Sequence, residues 1–197
     1  GYEDSGETPN TSISYFDYGT VPFVFEVRGL DTDPYKDCRI GVVYDCKGGW
    51  IMSPSYDSAT AFDLKGNVVK TFGGGGDHFR GFIDAVLSKN PEKATAPPEE
   101  GRLTASLCHL ANVSYRSGGS APLDGKALPF DHDVPNEAFR RMLDHLKSQG
   151  LDTKKTNYQR GQTLEFDGST ETIPKDPKAD ALLTREYRKG FELPSFS

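Results

Sequence analysis

At 197 residues the chain has room for one domain of ordinary size, with or without an extended arm. Its 35% hydrophobic and 26% charged residues, with 12 Phe and 9 Tyr, are too aromatic for a disordered chain and lean enough in aliphatics to imply long polar connections. A net charge of −6 and a pI near 5.2 weigh against nucleic acid or an anionic membrane as partner, since both need concentrated Lys and Arg.

No run approaches the roughly 20 apolar residues of a membrane helix, and no charged-then-apolar signal segment opens the chain. The sequence begins at Gly1, not Met, before a polar stretch, and is expected to be a segment of a longer protein. Localisation, cytoplasmic or exported, is therefore not readable from it. Cys38, Cys46 and Cys108 fit neither a paired zinc motif nor a disulfide framework. Buried free thiols are expected, with a Cys38–Cys46 pair around a hairpin left open.

Between Thr11 and Arg28, Ile13 and Tyr15, then Phe23, Phe25 and Val27 after Gly19-Thr20, alternate as in a hairpin. Arg39–Cys46 and Gly49–Ser53 flank Lys47-Gly48-Gly49 as a second hairpin, and Ala61–Leu64 and Val68–Phe72 flank Lys65-Gly66-Asn67 as a third. Three successive hairpins predict an antiparallel sheet, mainly over residues 11–72.

The period then becomes helical. Phe79, Phe82, Ile83, Val86 and Leu87 form one stripe behind Asp77, an N-cap candidate, predicting a helix over about 77–88. Leu103, Leu107, Leu110 and Ala111 predict a second over about 100–117, stopped by a C-cap at Gly118-Gly119. Pro135 with Ala138, Phe139, Met142, Leu143 and Leu146 predicts a third over about 135–149, stopped at Gly150. Gly119–Asp133 reads as loop, and 151–197 as an extended arm holding a short helix near Ala179–Tyr187. Sheet first and helices after, without β-α-β alternation, predicts an α+β domain over 1–197 and excludes a doubly wound nucleotide fold in this chain.

The four glycines Gly73–Gly76 before a helix suggest a phosphate loop, but no G-x-G-x-x-G or G-K-[ST] pattern is present, and Asp77 puts negative charge where a phosphate would sit. A flexible joint is the simpler reading. His78, in the first turn after that joint, is a candidate for facing a substrate cleft. Asp131-His132-Asp133 offers metal-ligating groups at a spacing that matches no standard site, which favours a solvated loop. His109, Asn112, Tyr115 and Arg116 share the polar side of the second helix, and Arg28 ends a strand where it can clamp a carboxylate or sugar hydroxyl or pair with an acidic neighbour.

Five stretches, taken in order, look like one family: Phe23–Leu30 (FVFEVRGL), Ser53–Phe62 (SPSYDSATAF), Gly74–Val86 (GGGDHFRGFIDAV), Ser106–Arg116 (SLCHLANVSYR) and Leu183–Lys189 (LTREYRK). They resemble the C-terminal domain of bacterial-type Gfo/Idh/MocA oxidoreductases, the glucose-fructose oxidoreductase and inositol dehydrogenase group. The resemblance implies a dihydrodipicolinate-reductase-like C-terminal domain, a mainly antiparallel sheet with helices packed on one face. It also implies a preceding Rossmann domain that binds NAD or NADP, a homo-oligomer built through the open sheet face, and a sugar or polyol substrate.

In that family the nucleotide glycines, the catalytic lysine and the Asp/His pair precede the region matched here. No catalytic, cofactor-binding or metal residue is carried over, and the isolated chain is expected to be inactive. The substrate-binding candidates are His78, Arg28, Tyr56 and His109. Two alternatives belong to other classes: a free-standing carbohydrate-binding or scaffold domain, and a hydrolase using His78 or His109 with acidic partners.

Overall fold

The computed structural model describes residues 5–192. It is α+β, with antiparallel sheets and a few helices. The described residues divide into two compact units: residues 5–30 with 101–192, and residues 31–100.

In the first unit, β1 (Thr11–Asp17) and β2 (Pro22–Arg28) form the expected hairpin, with Ser14 opposite Phe25 and Phe16 opposite Phe23. Gly19 at φ +74° supplies the left-handed residue of its turn. The hairpin packs on helix α3 (Asp133–Ser148) of the same unit.

The second unit begins with a turn in which Tyr35 and Cys38 exchange backbone hydrogen bonds of 3.1 and 2.9 Å around left-handed Lys36 and Asp37. Four strands follow: β3 (Val42–Cys46), β4 (Gly49–Ser53), β5 (Ser58–Asp63) and β6 (Val68–Gly73), an antiparallel meander in chain order. The register sorts side chains by face. Val43, Trp50, Met52, Thr60 and Phe62 share one, while Tyr44, Ile51, Ala59, Ala61 and Phe72 share the other. Between Ala61 and Phe62 the register slips by a bulge that leaves Val69 without an opposite residue. Helix α1 (His78–Ser88) follows, and its Asp77 cap accepts from the Arg80 amide at 3.0 Å, as expected for that residue. A 3₁₀ turn at Pro91–Lys93 packs beside α1.

Helix α2 (Pro98–Ser117) crosses the boundary in sequence between the units. The segment expected as loop after it contains β7 (Gly119–Pro122), paired antiparallel with β8 (Asn157–Arg160). The glycine at the end of α2 also acts differently from the expectation. Gly118 does not supply a left-handed cap; a Cβ there would overlap the Arg160 carbonyl oxygen, so close approach of the β8 end requires glycine.

Helix α3 puts Phe139, Met142, Leu143 and Leu146 into a core closed by Leu123, with Ile13, Phe130, Leu151 and Tyr158 against it. The period-3.6 stripe is thus buried, and left-handed Gly150 follows its end at φ +86°. A second cluster joins Val113 of α2 to Ile173 and Ala179 of the arm. The arm is tied down by Gln162 N–H to the Ser114 carbonyl at 3.0 Å and Ser114 Oγ to the Gln162 carbonyl at 2.7 Å.

The expected helix near Ala179–Tyr187 is instead the short α4 (Pro177–Asp180), because Leu182 and Leu183 leave the helical path to pack on Val113 and Ile173. The three hairpins do not make one sheet: β1–β2 and β3–β6 are separate. Of the cysteines, all free, only Cys38 is buried, while Cys46 and Cys108 are exposed. Burial pushes the Cys38 thiol pKa up.

Candidate functional site

The candidates fall two and two between the units: Arg28 and His109 in one, Tyr56 and His78 in the other.

In the second unit, the β4–β5 connection and the glycine joint lie at one end of the sheet, because Ser58 pairs with Gly73. The connection is held by serines. Ser53 Oγ donates to the Ser55 and Ser58 carbonyls at 3.1 Å each, and Ser55 Oγ reaches Asp57 Oδ1 and Ser58 Oγ at 2.6 Å each. Gly75 lies against Asp57, where a Cβ would come within 3.2 Å of the Asp57 Cβ. Tyr56 at the tip is fully exposed. His78 opens α1 with its ring tilted over Phe79, centroids 4.1 Å apart.

This rim presents hydroxyl, carboxylate, phenol and imidazole groups, the donor and acceptor set that binds a polyhydroxy ligand. The amide at the start of α1 is taken by the Asp77 carboxylate, which caps that N-terminus with negative charge.

In the first unit Arg28 is committed to the fold. Its Nη2 donates to Glu26 Oε2 at 2.6 Å and its Nη1 to the Arg141 carbonyl at 3.3 Å. Arg141 completes the network, reaching Glu26 Oε1 at 2.6 Å and Glu137 Oε1 at 2.8 Å. Of the two sequence readings of Arg28, the acidic neighbour is the one realised. His109 stands exposed on α2.

The Asp131-His132-Asp133 loop becomes the start of α3. His132 Nδ1 accepts from the Val134 amide at 3.2 Å, which places the proton of the neutral ring on Nε2. Tyr15 packs against both Phe130 and His132, with centroids 5.9 and 5.6 Å apart. Partial burial, with Asp17 adding, pushes the Tyr15 phenol pKa up. Phe130, His132 and Asn136 line a shallow open depression there with both aspartates. Asn136 itself is spent on structure: its amide donates to the Phe130 carbonyl at 2.7 Å and its oxygen accepts the Phe130 N–H at 3.2 Å. Among the described residues no three His, Cys, Asp or Glu side chains gather as a metal-holding group, and no helix is long and apolar enough to cross a membrane.

Comparison with family models, with curated proteins and with solved structures finds no match.

Sequence reasoning did not single out the Ser53–Ser58 hydroxyl cluster or the Glu26–Arg141 pair. The S-P-S-x-D-S pattern carried a signal for the first, as closely spaced Ser and Asp favour side-chain to backbone turns. The second joins residues 115 apart in sequence and leaves no local mark.

Proposed function

We propose that this chain is the substrate-side and oligomerisation domain of an NAD(P)-dependent oxidoreductase of the Gfo/Idh/MocA type, acting on a sugar or polyol. What carries the reading is the resemblance to that family of five stretches in order along the chain, from Phe23–Leu30 to Leu183–Lys189. The hydroxyl-rich rim of the second unit supports it, since it offers hydrogen bonds to a polyhydroxy substrate.

Hydride transfer needs nicotinamide, substrate carbon and a proton-transfer group held together. In this reading the nicotinamide and the proton-transfer group belong to a Rossmann domain upstream, and helices pack on one face of the sheet whose other face joins a second copy. His78 and Tyr56 act as positioning groups on substrate hydroxyls. Arg28 acts at a distance, by holding β2 on α3.

The test is the full reading frame, assayed for NAD+ and NADP+ reduction against a panel of polyols and aldoses. His78→Ala should lower kcat/KM by about 10-fold or more on the best substrate. An unchanged value removes His78 from the substrate site. A reading frame without a nucleotide-binding segment would favour a free-standing carbohydrate-binding or scaffold domain.

A further inference from the structure

A sheet or an amphipathic helix must bury an apolar face to be stable, and the second unit contains one of each within the same 70-residue stretch. The stripe of α1 stands in solvent, with Phe79 73%, Phe82 67% and Leu87 75% exposed. Helix propensity alone does not hold an 11-residue helix in water.

The two sheet faces differ in cover. On one, Trp50 stacks on Phe62 at 5.1 Å, and the Tyr35–Cys38 turn places Lys36 Nζ 4.9 Å from the Trp50 ring while pairing it with Asp45. On the other, Tyr44 and Phe72 flank a floor of Ile51, Ala59 and Ala61, with Lys70 opposite Ala61 and its Nζ 4.8 Å from the Phe72 ring, and both rings are exposed. Small residues between larger ones make a trough of the kind a helix occupies.

The connection between β6 and α1 is residues 74–77, three glycines and the cap, which is an ordinary length for a strand followed by a helix packed on its own sheet. Gly74 sits at φ +99°, open to glycine and strained for other residues. We propose that α1 is a hinged cover that swings on Gly74–Gly76 and closes its Phe79–Leu87 stripe onto the Tyr44, Ile51, Ala59, Ala61 and Phe72 face of the β3–β6 sheet. Sequence continuity names this occupant, and the stripe and the trough are both apolar apart from Ser53 and Lys70 on the sheet side, where the Lys70 ammonium lies over the Phe72 ring. The hinge lies beside Asp57, so closure is coupled by position to the Ser53–Ser58 rim.

Disulfide trapping in the full chain tests the cover independently of any enzyme activity. In a Cys46→Ser, Cys108→Ser background, Ala61→Cys is combined in turn with Phe82→Cys, Ile83→Cys and Val86→Cys. At least one pair should oxidise within the chain, giving a faster-migrating monomer on a non-reducing gel that dithiothreitol reverses. No cross-link in any pair, or cross-links only between chains, overturns the proposal; the second result assigns the trough to another copy. Hydrogen exchange supplies an arm without new cysteines: Phe82→Asp should speed exchange of the α1 amides by about 10-fold or more, whereas a change within about 2-fold contradicts closure.

Discussion

Glu26 on β2 and Arg141 on α3 meet through Oε1 and Nη2 at 2.6 Å, while Arg28 holds the other carboxylate oxygen. One carboxylate thus bridges two guanidinium groups, and the Arg28 Nη1 bond to the Arg141 carbonyl makes the bridge two-way between hairpin and helix. All three side chains are largely shielded, with exposures of 25%, 30% and 14%. Glu26→Gln should therefore destabilise the protein by about 1–3 kcal/mol, more than an exposed ion pair would, because shielded Arg28 loses its paired carboxylate and shielded Arg141 keeps the more exposed Glu137. Urea unfolding of Glu26→Gln, Arg141→Met and the double variant measures it. A coupling energy near zero would show that the bridge is ornamental to stability.

Asn136 makes a second prediction of the same kind. Its amide satisfies both backbone groups of Phe130 from a position that is 5% exposed. Asn136→Ala should cost about 2–4 kcal/mol, since two polar groups next to the core lose their partners. Asn136→Asp retains the acceptor but not the donor, and should restore part of the loss in thermal melts. Equal melting of all three proteins would refute the clamp.

Much of this architecture is legible in the sequence wherever a period is strong. The stripe Ala138, Phe139, Met142, Leu143, Leu146 gives α3 and its core face together, and the alternation through Phe23, Phe25 and Val27 gives β2. Asp77 as a cap follows from one side chain and one backbone amide, a local event. By contrast, β7 is Gly-Ser-Ala-Pro, with no β-branched or aromatic residue, and exists because β8 arrives beside it from almost 40 residues later. Leu182 and Leu183 look helical but serve a cluster around Val113 and Ile173. The same distinction applies to the candidate residues: Glu26 beside Arg28 is visible two positions away on one strand, while Arg141, which fixes the role of both, is not.

Gly118 tests the claim that packing, not backbone conformation, selects glycine there. Gly118→Ala would drive a methyl into the Arg160 carbonyl oxygen and should destabilise the protein by about 1–3 kcal/mol, with loss of protection at the β7–β8 amides in hydrogen exchange. At Gly48, where a Cβ meets nothing within 4 Å, the same change should be nearly silent. Matching effects at the two positions would refute the packing argument.

Asp167 gives a pH-dependent prediction. Hydrogen bonds from the Ser169 hydroxyl and amide, at 2.7 and 2.8 Å, with Thr170 adding, hold its carboxyl at about 2 instead of the usual 3.8. The charged form is favoured in the fold, so its stabilising contribution is full above the ordinary carboxylate range and is lost as pH falls from about 4 toward about 2. A carbon-detected NMR titration of Asp167 should show the low midpoint, and Ser169→Ala should move it upward. A midpoint near 4 in the unaltered protein would contradict the turn.

The proposed role turns on where nucleotide binds. Calorimetric titration of NAD+ and NADP+ into residues 1–197 and into the full reading frame, side by side, should give no binding heat for the first and saturable one-to-one binding for the second. Tight stoichiometric binding to residues 1–197 alone would contradict the account.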